Sequence, residues 1–251
     1  MEHYATAQQV FAGALIFARI GAIVMLIPGI GETFIPATIR LALAFVMTLA
    51  LYPVLSVGVP AEPVAVADLA GAVIKEMLIG LMIGGILRIF MNSLAAAGEI
   101  VSIQTTLSFA QTANPTQASP STTVGTFLNL LALVLLMATN LHHMFIAAIV
   151  RSYSLFPFHR DVPLGDAAQL AIQTIGKSFA LGVQLSAPVM VFAFIFNIAT
   201  GLVNRVMPQF QVFFVASPLL LLTSLSVFAL SLGVIGMVFI DRYRELLSVF
   251  A

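Results

Sequence analysis

The side chains able to do chemistry in this 251-residue chain are few and scattered. Of its 4 histidines, His142 and His143 are adjacent, and His3 and His159 stand at no regular spacing from them. Neighbouring positions on a helix point about 100° apart, so the pair does not make the i, i+4 arrangement of a helical zinc site, and no HExxH occurs. Cysteine is absent, which removes thiol nucleophiles, disulfides and Cys-based zinc sites together. No P-loop is present, and no nucleophile and base share a spacing that would make a catalytic pair. The expectation is a protein that is not an enzyme and uses no metal or cofactor, with the two histidines serving as polar anchors at a helix interface.

The remaining candidates are ionisable groups in apolar surroundings: Arg19, Lys75, Glu76, Arg88, Glu99 and Arg205. Such groups are functional suspects inside a membrane, but no acid cluster recurs at helical spacing as a proton relay would require. Arg19, Glu76, Arg88, Glu99, Arg205 and Gln209 are therefore predicted to be buried polar contacts. Lys75 and Glu76 point apart, so each needs its own partner. Arg205, close to Asn204 and Gln209, is placed to bond the open helix end that Pro208 creates.

The elements that position these groups are apolar. No Asp, Glu, Lys or Arg occurs between Glu99 and Arg151, and only Arg205 occurs between Lys177 and Asp241. Charged residues make up 8% and apolar residues 61%, with a mean hydropathy of +1.10, whereas a soluble domain keeps roughly a quarter of its residues charged. This is an integral membrane protein, read as one membrane-embedded domain over 1–251. A net charge of zero without like-charge runs excludes nucleic-acid binding.

A hydrocarbon layer of ~30 Å takes about 20 residues of helix, and apolar windows fall near 8–31, 34–57, 68–92, 124–150, 178–204 and 210–240, suggesting about six segments. Arg19, Arg40, Lys75, Glu76 and Arg88 lie in these windows, each Arg costing about 2.5–3.5 kcal/mol at a bilayer centre. Pro28, Pro36, Pro53, Pro188, Pro208 and Pro218 lie within or beside them, so broken and kinked helices sheltered by protein neighbours are expected. Gly80 and Gly84 form a GxxxG step, and Ala95 to Gly98 is a second run of small residues suited to close packing. The basic residues Arg151, Arg160, Lys177, Arg242 and Arg244 fall on one side of a six-span arrangement, the cytoplasmic one by the positive-inside rule.

Ser102 to Thr126 is polar yet uncharged, with turn signals at Asn114-Pro115 and Ser119-Pro120. A loop is expected between a helix ending near Gln104 and another starting near Val124. It is either an ordinary solvent-exposed loop or a loop at membrane depth closing a watery passage. For the second reading the candidate residues are Gln104, Phe109, Gln111, Asn114, Pro115, Gln117 and Pro120. Neutral polar groups suit the passage of unfolded polypeptide, since they bond any sequence without trapping one sign of charge.

The chain resembles a known family nearly end to end. The resemblance is carried by Phe17-Ala18-Arg19, Pro28, Pro36 and Arg40, then Gly98-Glu99, Gln104 and Phe109-Ala110. It continues through Asn140 with His142-His143, Ala187-Pro188-Val189, Asn197, Arg205, Pro208-Gln209 with Phe213, and Ser217-Pro218-Leu219. In these residues the chain resembles the FliR family of the flagellar type III export gate, which is similar to the corresponding SctT subunit of virulence injectisomes. The resemblance implies an all-α membrane protein in a helical multi-subunit pore with FliP and FliQ, with FlhB and FlhA nearby, in the bacterial inner membrane at the flagellar basal body. It implies that unfolded flagellar proteins pass through, that partner subunits enclose charges such as Lys75 and Glu76, and that the Gln104–Pro120 loop plugs the closed pore. Asn114 and Leu141 depart from the family's usual Asp and Gly, which speaks against charge-based gating by that loop. The alternatives are an injectisome gate subunit or a small-solute secondary transporter, the latter calling for two related halves that the chain does not display.

Overall fold

The computed structural model describes residues 6–32, 34–61, 63, 65–108, 122–160, 164–209 and 211–248. Among them the regular elements are all helical: α1 (Ala7–Leu26), α2 (Ala37–Leu55) with a 3-10 turn over Ser56–Gly58, α3 (Val66–Gln104), α4 (Thr123–Ala138), α5 (Leu141–Leu155), α6 (Leu164–Val206) and α7 (Val212–Ser248). Five helical stretches are long and apolar enough to cross a membrane, and α4 with α5 makes a sixth as a pair bent by 77°. The protein is thus an all-α membrane protein with a broken span, as the apolar windows predict.

Local chemistry explains several boundaries. Thr6 and Gln9 form a reciprocal capping box at the start of α1, with Thr6 N donating to Gln9 Oε1 at 2.8 Å. Pro28 follows its end, and Pro36 precedes α2, where a missing N–H costs nothing. The ends of α3 and α4 fall at Gln104 and Thr123, where the polar segment begins and ends.

Two expectations are corrected. The helices α3, α6 and α7 run to 39, 43 and 37 residues, well beyond the windows, because Glu99, Asp166, Lys177 and the charges from Asp241 to Glu245 lower the hydropathy without interrupting the helix. A 39-residue helix is about 58 Å long, nearly twice the hydrocarbon thickness. The second correction concerns where spans break. Pro53, Pro188 and Pro218 all lie inside helices, and the sharp bend comes instead at Thr139 and Asn140, with Asn140 in the left-handed region at φ 57°. Asn is among the few residues that adopt this conformation readily.

The chain packs as two compact units. The first comprises Met1–Phe90, Thr139–Ile175 and Arg244–Ala251, and the second comprises Met91–Ala138 and Gly176–Tyr243. In the first, α1 is the most enclosed helix, burying Phe11, Leu15, Ile16, Ile20 and Ile23, together with Ile79, Ile83 and Leu87 of α3 and Phe145 and Ile149 of α5. In the second, Leu94 and Val101 of α3, Leu128 and Leu136 of α4, Leu185 and Val189 of α6 and Phe239 of α7 form the core.

Candidate functional site

The first unit is organised around Arg19. The Gly80–Gly84 step of α3 lets its backbone touch α1: a Cβ on Gly80 would lie 2.6 Å from the Arg19 carbonyl oxygen, and one on Gly84 would lie 2.8 Å from Leu26 Cβ. Glu76 stands one turn before Gly80 on the same face, so this close approach carries its carboxylate to Arg19. Arg19 Nε donates to Glu76 Oε2 at 2.6 Å, and the two residues are 0% and 1% exposed.

The rest of the guanidinium is used as well. Its other nitrogens donate to the carbonyl oxygens of Ser152, at 2.9 Å, and Phe156, at 2.8 Å. These lie at the C-terminal end of α5, where orphan carbonyls and the helix dipole favour a cation. The guanidinium also sits 4.2 Å from the Tyr153 ring centroid and 5.4 Å from that of Phe158, and Tyr153 Oη donates to the Ile16 carbonyl oxygen at 3.2 Å. A buried ion pair is tolerable only when its other hydrogen-bonding groups are met in this way.

Neighbouring cations also find partners within this unit. Lys75 Nζ donates to the Phe158 carbonyl oxygen at 2.8 Å, so Lys75 reaches the short turn after α5 directly, whereas Glu76 is tied to it through Arg19. The expectation that partner subunits supply both is corrected here, since the chain supplies them itself. Arg88 is half-buried and donates to the Gly31 carbonyl oxygen at 3.2 Å, with Arg40 converging on the same oxygen at 3.5 Å. Gly31 is required there, because a Cβ would fall 2.6 Å from the Met25 carbonyl oxygen.

In the second unit Glu99 has a different task. The α3 and α4 backbones meet at Gly98 and Gly125, where a side chain on Gly98 would run into the Gly125 backbone. Beside this contact Glu99 Oε1 accepts from Thr122 N at 2.8 Å, and the Thr122 hydroxyl accepts from Gly125 N at 3.1 Å. This is the reciprocal logic of a capping box, with the acidic member supplied by α3 rather than by α4 itself.

The tip of the α6–α7 hairpin contrasts with both sites. Beyond Ala193 no residue of α6 is buried, and Asn197, Asn204, Arg205 and Gln209 are exposed. Arg205 and Gln209 are therefore not buried contacts of this chain, and the helix end near Pro208 is closed by backbone instead, with Met207 N donating to the Val203 carbonyl oxygen at 2.9 Å. On one side of the tip a cleft of about 430 Å³ is lined by Asn197, Asn204 and Gln211 together with Phe196, Val212 and Leu220, and most of its surface is apolar. On another lies an apolar groove of about 420 Å³, lined by Ala199, Val203, Met207, Val215 and Leu219.

Of the loop candidates, Gln104 is the half-buried last residue of α3. Phe109, Gln111, Asn114, Pro115, Gln117 and Pro120 lie outside the described residues. The His142 and His143 rings do not diverge: their centroids are 4.2 Å apart, tilted by 41°, at the first turn of α5 just after the bend. Among the described residues no group of three acids or histidines converges to hold a metal ion. Sequence reasoning missed Ser152, Tyr153, Phe156 and Phe158 as the receptor for Arg19, since backbone carbonyls and rings carry no charge signal. It also missed Thr122 as the partner of Glu99, although Thr before a helix is a readable N-cap sign.

A family model described as bacterial export proteins, family 1, matches residues 10–246. The chain is 60% identical over 250 residues to the flagellar biosynthetic protein FliR of Caulobacter vibrioides, covering 100% of both chains. It is 28% identical to the FliR of Escherichia coli, over 93% of this chain and 88% of the relative, and 28% identical to that of Bacillus subtilis, over 89% and 87%. Matched along nearly its whole length in each of these comparisons, the chain belongs to the bacterial export proteins of family 1 and, within them, to the FliR family.

Proposed function

We propose that this chain is a subunit of the flagellar type III protein export gate, forming with FliP and FliQ the channel that passes unfolded flagellar proteins across the bacterial inner membrane. The full-length 60% identity to a flagellar biosynthetic protein carries this reading and favours the flagellar over the injectisome system. The α6–α7 tip supports membership of a multi-subunit complex, because a helix apolar enough to span leaves Asn197, Asn204 and Arg205 exposed beside Phe194, Ile195 and Leu202. Lipid satisfies the second group and not the first, so companion subunits at the basal body, with FlhB and FlhA close by, are the fitting environment. The polar loop from Gln104 to Pro120 acts as the plug of the closed pore. The role is structural and gating, and needs no nucleotide or cofactor.

Purification from gently solubilised membranes tests the reading. Two small helical membrane proteins are expected to copurify in excess copies over this chain. A stable monomer whose melting temperature responds to a small solute would overturn it in favour of a secondary transporter.

A further inference from the structure

Two guanidiniums of the first unit are not met as Arg19 is. Arg40, in the first turn of α2, and Arg88 of α3 converge on the Gly31 carbonyl oxygen, at 3.5 Å and 3.2 Å. Each carries a fork of N–H donors, yet among the described residues each makes that single hydrogen bond and no ion pair. Arg40 Nε is buried without a partner, and Glu32, beside Gly31 in the chain, pairs with neither cation. One neutral oxygen shared by two half-buried cations leaves their charge unanswered and their mutual repulsion in place. An anion with at least two oxygens, gripped between the two forks, answers both.

The depth of the pair identifies that anion. α1 is 20 residues long and Ala37–Gly58 is 22, and α3, which begins shortly after Gly58, climbs from Val66 to Arg88 over a similar length. At 1.5 Å per residue each path covers about 30–33 Å, one hydrocarbon thickness. Gly31, Arg40 and Arg88 therefore share one bilayer surface, the level at which phospholipid phosphates lie.

The helix beside the pair has the surface that the rest of such a molecule requires. Of the five apolar helical stretches the α2 span is the least enclosed, with 17% of it buried. Ile39, Ala42, Val46 and Leu49 stand at i, i+3, i+7 and i+10 and are all exposed. They make an apolar stripe descending about 15 Å from the level of Arg40, the depth of one leaflet's hydrocarbon. A carboxylate from another protein would answer the cations alone, whereas a phosphate bearing acyl chains answers the cations and the stripe together. We infer that Arg40 and Arg88 hold the phosphate of an anionic phospholipid whose acyl chains lie along α2. This site is independent of the export reading and needs only that the chain lies in a membrane.

Native mass spectrometry tests it on the full chain with the subunits that copurify, stripped of lipid in detergent and then titrated with dioleoyl lipids. Dioleoylphosphatidylglycerol should be retained at least about fivefold more tightly than dioleoylphosphatidylcholine, whose choline meets two cations, and R40Q/R88Q should lose this preference, at about fivefold per Arg. Equal retention of the two lipids by the parent complex would overturn the site without any variant having to fold, and a preference that survives R40Q/R88Q would do the same. Inorganic phosphate at equal concentration should not displace the lipid, since it has no acyl chains; displacement would make this a free-anion site and overturn the lipid assignment. Loss of companion subunits from R40Q/R88Q with lipid retention unchanged would overturn it in favour of a protein carboxylate.

Discussion

The Arg19 cluster and the α6–α7 tip solve the same problem, polar groups on apolar helices, in opposite ways. Around Arg19 the partners are internal: one carboxylate, two backbone carbonyls and two aromatic rings, all from the same unit. At the tip Asn197, Asn204 and Arg205 stand exposed. The difference separates charges that hold this chain together from polar groups that await something outside it. Ionisable residues in apolar windows are therefore not uniformly functional, and those that the fold satisfies by itself are its rivets.

Breaking the cluster should have the largest effect. E76A leaves a buried guanidinium without its counter-ion, and a loss of about 3–5 kcal/mol is expected, read as lower thermal stability in detergent and less chain retained in membranes. R19M/E76L, removing both charges, should recover most of it. If E76A melts with the parent chain, the cluster is not what holds the first unit.

Glu99 sits between the two cases, a half-buried charge met by one backbone N–H. E99A should cost about 1.5–3 kcal/mol, the range for hydrogen bonds to charged groups, and E99Q less because an acceptor remains. Hydrogen exchange at the start of α4 would report it. G98A, which forces α3 away from Gly125, should cost about 1–3 kcal/mol as an overpacked contact, measurable by the same melts. The smallest effect on the chain itself belongs to the tip: N204A or R205A should change its stability by less than about 0.5 kcal/mol, while recovery of copurifying subunits falls. A tip variant that unfolds the isolated chain would erase the contrast.

Much of the fold is legible in the sequence, because the hydrocarbon layer imposes one simple demand and the apolar windows answer it. The neutral segment likewise marks the ends of α3 and α4 at Gln104 and Thr123 to within a residue. What local pattern cannot supply is long-range partnership. Glu76 lies 57 residues from Arg19, and the Ser152 and Phe156 carbonyls lie 133 and 137 away, so their meeting depends on the Gly80–Gly84 contact and not on spacing along one helix. The bend at Asn140 was hidden for a related reason. Proline announces a missing donor wherever it stands, and yet Pro188 and Pro218 remain within their helices, whereas an Asn turns left-handed only in a context that favours it.

The order in which the Arg19 receptor is made has a consequence for biosynthesis. At about 5–20 residues per second, the ribosome completes Ser152, 133 residues after Arg19, roughly 7–27 s later. Glu76 follows 57 residues after Arg19, but until Phe156 is made the first span carries a cation whose carbonyl partners have not yet been translated. The insertion machinery must keep that span near itself or near the lipid headgroups, and nascent chains ending before Phe156 should be cleared by membrane proteases, so that release into the bilayer doubles as a check that translation has passed the midpoint.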